Sequence, residues 1–272
     1  MKILSPSSEQ FTIEEEPFYL PTQNEIEIFK TAWKHKIPVL LKGPTGCGKT
    51  RFVSAMAYQL GLPLLTVSCH EDLSASDLIG RYLLQGSEVI WSDGPMTAAV
   101  RMGGILYLDE VVEARKDTIV AIHPLTDHRR SLAIDKLADV VQAPDSFMLV
   151  MSYNPGYQSI LKELKPSTRQ RFISLEFSYP NQESEQEIIC SETGIKADIA
   201  LSLVKLAGKI RNLVSQGLEE GVSTRLLVHT ARLINGGISP KQACHVSLCL
   251  SLTDDDYMQQ TITTLVDDYF QD

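Results

Sequence analysis

The chain has 272 residues, 43% of them hydrophobic, and a formal net charge of −9, which allows one large domain or a large domain plus a small one, each with its own core. That charge leaves no broad basic face to neutralise a run of phosphates, so DNA and RNA are poor partners. The five cysteines hold no C-x-x-C pair, which argues against a zinc site or a redox couple and fits a reducing cytosol.

The opening stretch MKILSPSSEQF has no apolar signal-peptide core, and nowhere do eighteen apolar residues run together; a cytoplasmic protein without membrane insertion is expected. Up to about residue 180, short apolar runs alternate with helical stretches: IPVLLKG (37–43), LPLLTVS (62–68), GGILYLDE (103–110), FMLVMSYN (147–154) and FISLEF (172–177). Runs apolar on both faces predict parallel strands covered by helices, an α/β domain with a sheet of about five strands. Two stretches within it, 81–94 and 129–143, each read as strand-like runs around a polar turn, either projecting hairpins or surface loops. Their Tyr82, Leu83 and Trp91 are expected to be exposed and suited to pressing on a partner. From about residue 181 the pattern turns helical: ESEQEIICSET, ADIALSLVKLAGKIRNLVSQ, STRLLVHTARLI, SPKQACHVSLCLSL and DDYMQQTITTLVDDYF. Gly236-Gly237 is a stop signal and Ser239-Pro240 a start signal between the third and fourth. The chain is thus read as a sheet domain over 1–180 and a small all-helical domain over 181–272.

Gly43-Pro44-Thr45-Gly46-Cys47-Gly48-Lys49-Thr50 has the pattern G-x-x-x-x-G-K-[ST], follows the first buried run and precedes the helical run that opens at Arg51. Glycines let such a loop curl until its N–H groups point inward, and the helix N-terminus adds its positive end. ATP is the expected ligand, with Lys49 reaching the β- and γ-phosphates, the Thr50 hydroxyl on Mg²⁺, and the neighbouring positions through Arg51 lining the nucleotide. GGILYLDE puts Asp109 and Glu110 at the carboxyl edge of the sheet, where ligands of open α/β sheets sit. Asp109 is assigned to the Mg²⁺ shell and Glu110 to the attacking water. Asn154, ending the next strand, either holds the water or the γ-phosphate or serves as a turn residue before Pro155.

The order of phosphate loop, acid-tipped strand, Asn-tipped strand, basic stretch and helical domain resembles the AAA+ ATPases, and the two inserts resemble their MoxR branch. DLIGRYLLQG, DGPMTAAVR, YLDEVVEAR, HPLTDHRR, SYNPGYQS, LKPSTRQRF and GVSTRLLVHTARLI are similar to the CbbQ/NorQ/NirQ group, nearest to CbbQ, from about residue 17 onward. The resemblance implies an AAA+ fold with a helical lid and a homo-hexamer. It also implies that Arg171 acts as an arginine finger on a neighbouring subunit's nucleotide, with Arg169 as a second candidate, and that Arg225 touches the γ-phosphate from the lid. It implies a companion protein with a von Willebrand factor A domain, and as client Rubisco, freed of inhibitory sugar phosphates, or alternatively nitric oxide reductase during maturation. A P-loop kinase would share the loop but need an acceptor pocket, and a slow nucleotide switch would keep the loop without the rate. His70 has no second ligand at metal spacing and reads as structural; His123 and His128 flank PLTD in a loop after a helix and read as packing or surface contacts; Asp254-Asp255-Asp256 reads as a helix start.

Overall fold

The computed structural model describes residues 3–155 and 164–270, grouped into two compact units. The first takes in Gln23–Gly43 and Lys49–Phe177 with the N-terminal stretch through Pro17; the second is Ser178 onward, joined by Phe18–Thr22 and Pro44–Gly48. The helical unit therefore begins at Ser178 and recruits two short segments from the N-terminal half, one of them the tip of the phosphate loop.

In chain order the first unit contains β1 (Ile3–Leu4), α1 (Glu25–Lys34), β2 (Val39–Lys42), α2 (Lys49–Leu60), β3 (Leu64–Ser68), α3 (Ala75–Ile79), β4 (Gly80–Gln85), β5 (Glu88–Asp93), α4 (Pro95–Met102), β6 (Ile105–Asp109), α5 (Lys116–Ala121), β7 (Ser131–Ile134), β8 (Asp139–Gln142), β9 (Met148–Tyr153), α6 (Pro166–Arg169) and β10 (Ile173–Glu176). The five predicted runs form one sheet in the order β10-β2-β9-β6-β3, every pair parallel. The inner strands β2, β6 and β9 are buried along almost their whole length, which is why they read as unbroken apolar runs. The edge strands β3 and β10 alternate buried and open positions, as a strand covered on fewer sides permits. The α4 residues Met96, Ala99 and Val100 share a core with Leu40, Leu106, Leu149 and Met151 of the sheet. Phe29 of α1 meets Phe52 of α2 edge-on at 5.3 Å, and Phe52 leans on Phe177 at the same distance.

The register places the site. Lys42 lies opposite Tyr153 and Leu108 opposite Met151, so the loop after β2, Asn154 after β9 and the Asp109-Glu110 end of β6 emerge at one edge of the sheet.

Both inserts are antiparallel hairpins. β4 and β5 are joined by Gly86-Ser87 with Gly86 at φ +65°, in the left-handed region that tight hairpin turns require, and β1 adds in parallel along β5. β7 pairs with β8, and the Tyr82 hydroxyl donates to the Lys136 carbonyl at 2.8 Å, tying the hairpins together. The expected exposure of the first hairpin needs correction. Tyr82 is open and Leu83 half-buried, but Trp91 is fully buried. Its ring covers Gly80, where a Cβ would meet it at 2.6 Å, and its indole N–H donates to Asp93 Oδ1 at 2.8 Å. Trp91 sits toward the base of the hairpin; Leu84 and Val89, beside the turn, are the exposed apolar residues.

The helical unit contains α7 (Gln182–Thr193), α8 (Ala197–Asn212), α9 (Thr224–Asn235), α10 (Pro240–Cys244) and α11 (Asp256–Tyr269). Its starts are those polar residues favour: Asn181, Ser223, Ser239 and Asp255 each accept a backbone N–H of the first turn, satisfying donors a helix leaves unpaired. Apolar positions at helical spacing, among them Leu203, Leu206, Ile210, Leu227, Leu248 and Ile262, close one core. The run SPKQACHVSLCLSL is not one regular helix: after α10 the chain widens into a π-helical turn over His245–Cys249. There the buried Ser247 hydroxyl bonds back to the Ala243 carbonyl at 2.6 Å and lies 2.6 Å from the Thr230 hydroxyl, the kind of side-chain competition that distorts a helix ladder.

Candidate functional site

The phosphate loop leaves β2 and re-enters regular structure at Lys49, the first residue of α2. Gly46 and Gly48 hold φ of +64° and +101°, values open to glycine and strained for other residues. Lys49, 7% exposed, donates from Nζ to the Gly43 carbonyl at 2.8 Å and to Asn154 Oδ1 at 2.7 Å. These two bonds orient the ammonium at the mouth of the loop, where a cation acts on an anion seated under the loop amides. Asn154 thus joins the site through its side chain. Arg51 lies on the first turn of α2 with its side chain exposed.

At the end of β6 the two acids are held differently. Asp109 Oδ1 accepts the Tyr107 hydroxyl at 2.8 Å and the Ser152 hydroxyl, while Oδ2 lies 3.4 Å from Thr50 Oγ1. Thr50 Oγ1 is also 3.5 Å from the Tyr107 hydroxyl. Glu110 is exposed and sits in the left-handed region at φ +54°, where a non-glycine residue stores about 1–3 kcal/mol of strain. Its backbone N–H donates to Ser152 Oγ at 3.2 Å. Tyr107 and Ser152, both fully buried, escaped the sequence reading. The available signals were a hydroxyl two residues before Asp109, hence on the same side of the strand, and a lone polar residue in the apolar run of β9.

These charges shape their surroundings. Burial, then the Asp109 carboxylate, raises the Tyr107 phenol above its ordinary value, keeping it a neutral donor. Burial, with the Asp109 and Glu110 charges added, pushes the Cys69 thiol up to about 12.

Mg²⁺ fits the donors present. It takes hard oxygen ligands, keeps several waters and uses one or two protein groups beside substrate phosphates; the Thr50 hydroxyl and Asp109 Oδ2 flanking the loop are such a pair. Among the described residues, no group of three His, Cys, Asp or Glu side chains could cage a metal by itself.

Arg171 follows α6 and pairs through Nη1 with Asp127 Oδ2 at 3.4 Å, on a carboxylate also gripped by Arg129 at 2.6 Å. Arg169, at the end of α6, is exposed. His123 bonds Thr168 of α6 at 3.2 Å, and burial followed by the Arg171 charge lowers its pKa, in keeping with a structural role. His70 and His128 are exposed. The SYNPGYQS stretch runs into residues 156–159, which lie outside the described residues.

In the helical unit, Arg225 is the second residue of α9 and exposed. The loop tip packs beside it: a Cβ on Gly46 would lie 2.6 Å from Ser223 Cβ and 3.3 Å from Arg225 Cβ. The segment leading into α9 is anchored by a buried network. Arg211 forks onto Glu185 at 2.6 and 2.8 Å and donates to the Val222 carbonyl at 2.8 Å; Thr224 donates to Glu185 at 2.6 Å. The Tyr179 ring lies 4.0 Å from the Arg211 guanidinium, and its hydroxyl is 3.4 Å from the Thr45 and Gly221 carbonyls.

Comparison with known proteins bears on the family and the fold. The AAA domain (dynein-related subfamily) matches residues 38–172 and the CbbQ/NirQ/NorQ C-terminal domain residues 185–269. Protein NorQ of Paracoccus denitrificans is 59% identical over 239 residues, 88% of each chain. The denitrification regulatory protein NirQ of Pseudomonas aeruginosa is 55% identical over 92% of this chain and 96% of its own. Protein CbbQ of Hydrogenophilus thermoluteolus is 54% identical over 90% of this chain and 92% of its own. Among solved structures, a variant of RuvB from Thermotoga maritima superposes with a TM-score of 0.56 at 17% identity, over 96% of this chain and 73% of that one, a likeness of fold. With a parallel sheet ordered around the phosphate loop, and relatives matched over nearly their full length, the chain belongs to the CbbQ/NirQ/NorQ family of AAA+ ATPases.

Proposed function

We propose that this chain is an ATP-hydrolysing motor that remodels a client enzyme together with a companion bearing a von Willebrand factor A domain. The observation that carries the hydrolytic part is the meeting of three strand ends: Lys49 bonded to Asn154, Thr50 facing Asp109, and Glu110 beyond them. ATP lies with its phosphates under the loop amides and Lys49. Glu110 accepts a proton from water as the water oxygen attacks the γ-phosphorus and the bond to the β-phosphate oxygen breaks, giving ADP and phosphate. Thr50 and Asp109 would hold Mg²⁺, which would offset the phosphate charge when bound, and Asn154 positions Lys49 and the terminal phosphate. The charge developing in the transition state is met by Arg171 of an adjoining subunit, with Arg169 as the alternative, and by Arg225. A finger supplied in trans requires a closed head-to-tail ring, and six copies is the assembly the family resemblance implies.

Two clients enter on equal terms. The similarity to CbbQ supports Rubisco and release of its inhibitory sugar phosphates; the identities to NorQ and NirQ, 59% and 55%, support maturation of nitric oxide reductase. The test is phosphate release by the purified chain with its companion, alone, with inhibited Rubisco, and with immature nitric oxide reductase. Stimulated ATPase with restored activity of one client, both lost in Glu110→Gln, identifies that client. Release that needs an added acceptor instead of water would replace the motor with a kinase.

A further inference from the structure

We infer that Ser152 is a positioning residue whose one hydroxyl sets both acids of the site: it orients Asp109 for the metal and holds the backbone that aims Glu110. The inference rests on the hydrolytic reading above and adds to it a residue on a different strand. Ser152 Oγ donates to Asp109 Oδ1 and accepts the Glu110 N–H at 3.2 Å. Tyr107 brings a second hydroxyl to the same Oδ1 at 2.8 Å and lies 3.0 Å from Ser152 Oγ. Oδ1 is thereby occupied by two donors, and the carboxylate is turned so that Oδ2 faces Thr50.

The two hydroxyls differ in reach. Tyr107 touches only the Asp109 side of the pair, whereas Ser152 alone also contacts the Glu110 backbone, held at φ +54°. The parallel register makes this possible: Leu108 faces Met151, so the next residues on each strand, Asp109 and Ser152, lie level. Outer partners that orient metal ligands typically carry about 10- to 100-fold in metal affinity or activity.

The experiment compares Ser152→Ala, the near-isosteric Ser152→Cys and Tyr107→Phe with the unaltered chain, after thermal melting confirms that each is folded. Binding of Mn²⁺ with a non-hydrolysable ATP analogue is followed by electron paramagnetic resonance, and kcat and KM for ATP are measured separately. Ser152→Ala and Ser152→Cys are expected to weaken Mn²⁺ binding and lower kcat, each by about 10- to 100-fold, with KM within about twofold. Tyr107→Phe is expected to weaken Mn²⁺ binding with a smaller loss of kcat, because the Glu110 anchor remains. If either folded Ser152 variant keeps Mn²⁺ affinity and kcat within about twofold of the unaltered chain, the inference is overturned. An unaltered chain that binds nucleotide and releases no phosphate would defeat the hydrolytic reading, and the Mn²⁺ comparison would still decide the role of Ser152.

Discussion

Glu110 shows what the site demands of single residues. Its side chain is open and its backbone left-handed, a combination that stability alone would assign to glycine. Glu110→Gln should keep nucleotide binding and lower phosphate release by about 10²- to 10⁴-fold, the usual worth of a positioned base. Glu110→Gly should be equally inactive yet melt no lower than the unaltered chain, because the strain is relieved as the carboxylate is lost. A clear drop in melting temperature would show that the left-handed backbone is not strained. Cys69 gives a second residue-level test. With its thiol pushed up to about 12, the thiolate fraction at pH 8 is on the order of 10⁻⁴, and the thiolate is the reacting species. Iodoacetamide at pH 8 should modify half-buried Cys190 while sparing Cys69 and Cys244, the latter raised to about 12 by burial; peptide mass mapping reads the difference.

Two elements depend on contacts that their own sequences do not announce. The first hairpin begins at Gly80, with φ +140°, where a Cβ would lie 2.6 Å from both the Ser92 carbonyl and the Trp91 ring. Gly80→Ala must displace backbone or the buried indole. It should cost about 1–3 kcal/mol in thermal or urea unfolding and shift the tryptophan fluorescence. The second case is the Arg211–Glu185 pair between α8 and α7. Glu185 is fully buried and Arg211 largely so, and Thr224 and the Val222 carbonyl complete the network. Arg211→Ala would strand a buried carboxylate and should destabilise the helical unit by about 3–5 kcal/mol. Because the same network fixes the start of α9, Arg225 should lose its placement in the folded fraction.

At the scale of the whole molecule, the proposed ring makes each site depend on two chains. Arg171 is engaged with Asp127 within its own chain, and the Lys49–Asn154 and Thr50–Asp109 contacts assemble without it. Lys49→Ala and Arg171→Ala chains, each inactive alone, should regain part of the phosphate release when mixed, because some interfaces then join an intact loop to an intact finger. Confirmed mixed rings that stay inactive at every ratio would remove Arg171 from the trans role, and sedimentation at the monomer position with ATP would remove the ring. Among the described residues, no helix is long and apolar enough to cross a membrane.

The sequence by itself determined what contiguous residues control. The phosphate loop is set by glycines and a helix start within eight positions. The inner strands announce themselves by continuous apolar runs, and the helical unit by its caps and periodicity. Tertiary structure decided everything that joins distant residues. The strand order brings Asn154 to Lys49, and the register levels Ser152 with Asp109. Trp91 folds inward onto Gly80, Glu185 finds Arg211, and the Ser247–Thr230 contact accompanies a π-turn in an otherwise helical run. The reason is physical: local backbone preferences act over a few residues, whereas burial and hydrogen-bond pairing in a parallel sheet join groups whose separation in sequence carries no record of their contact.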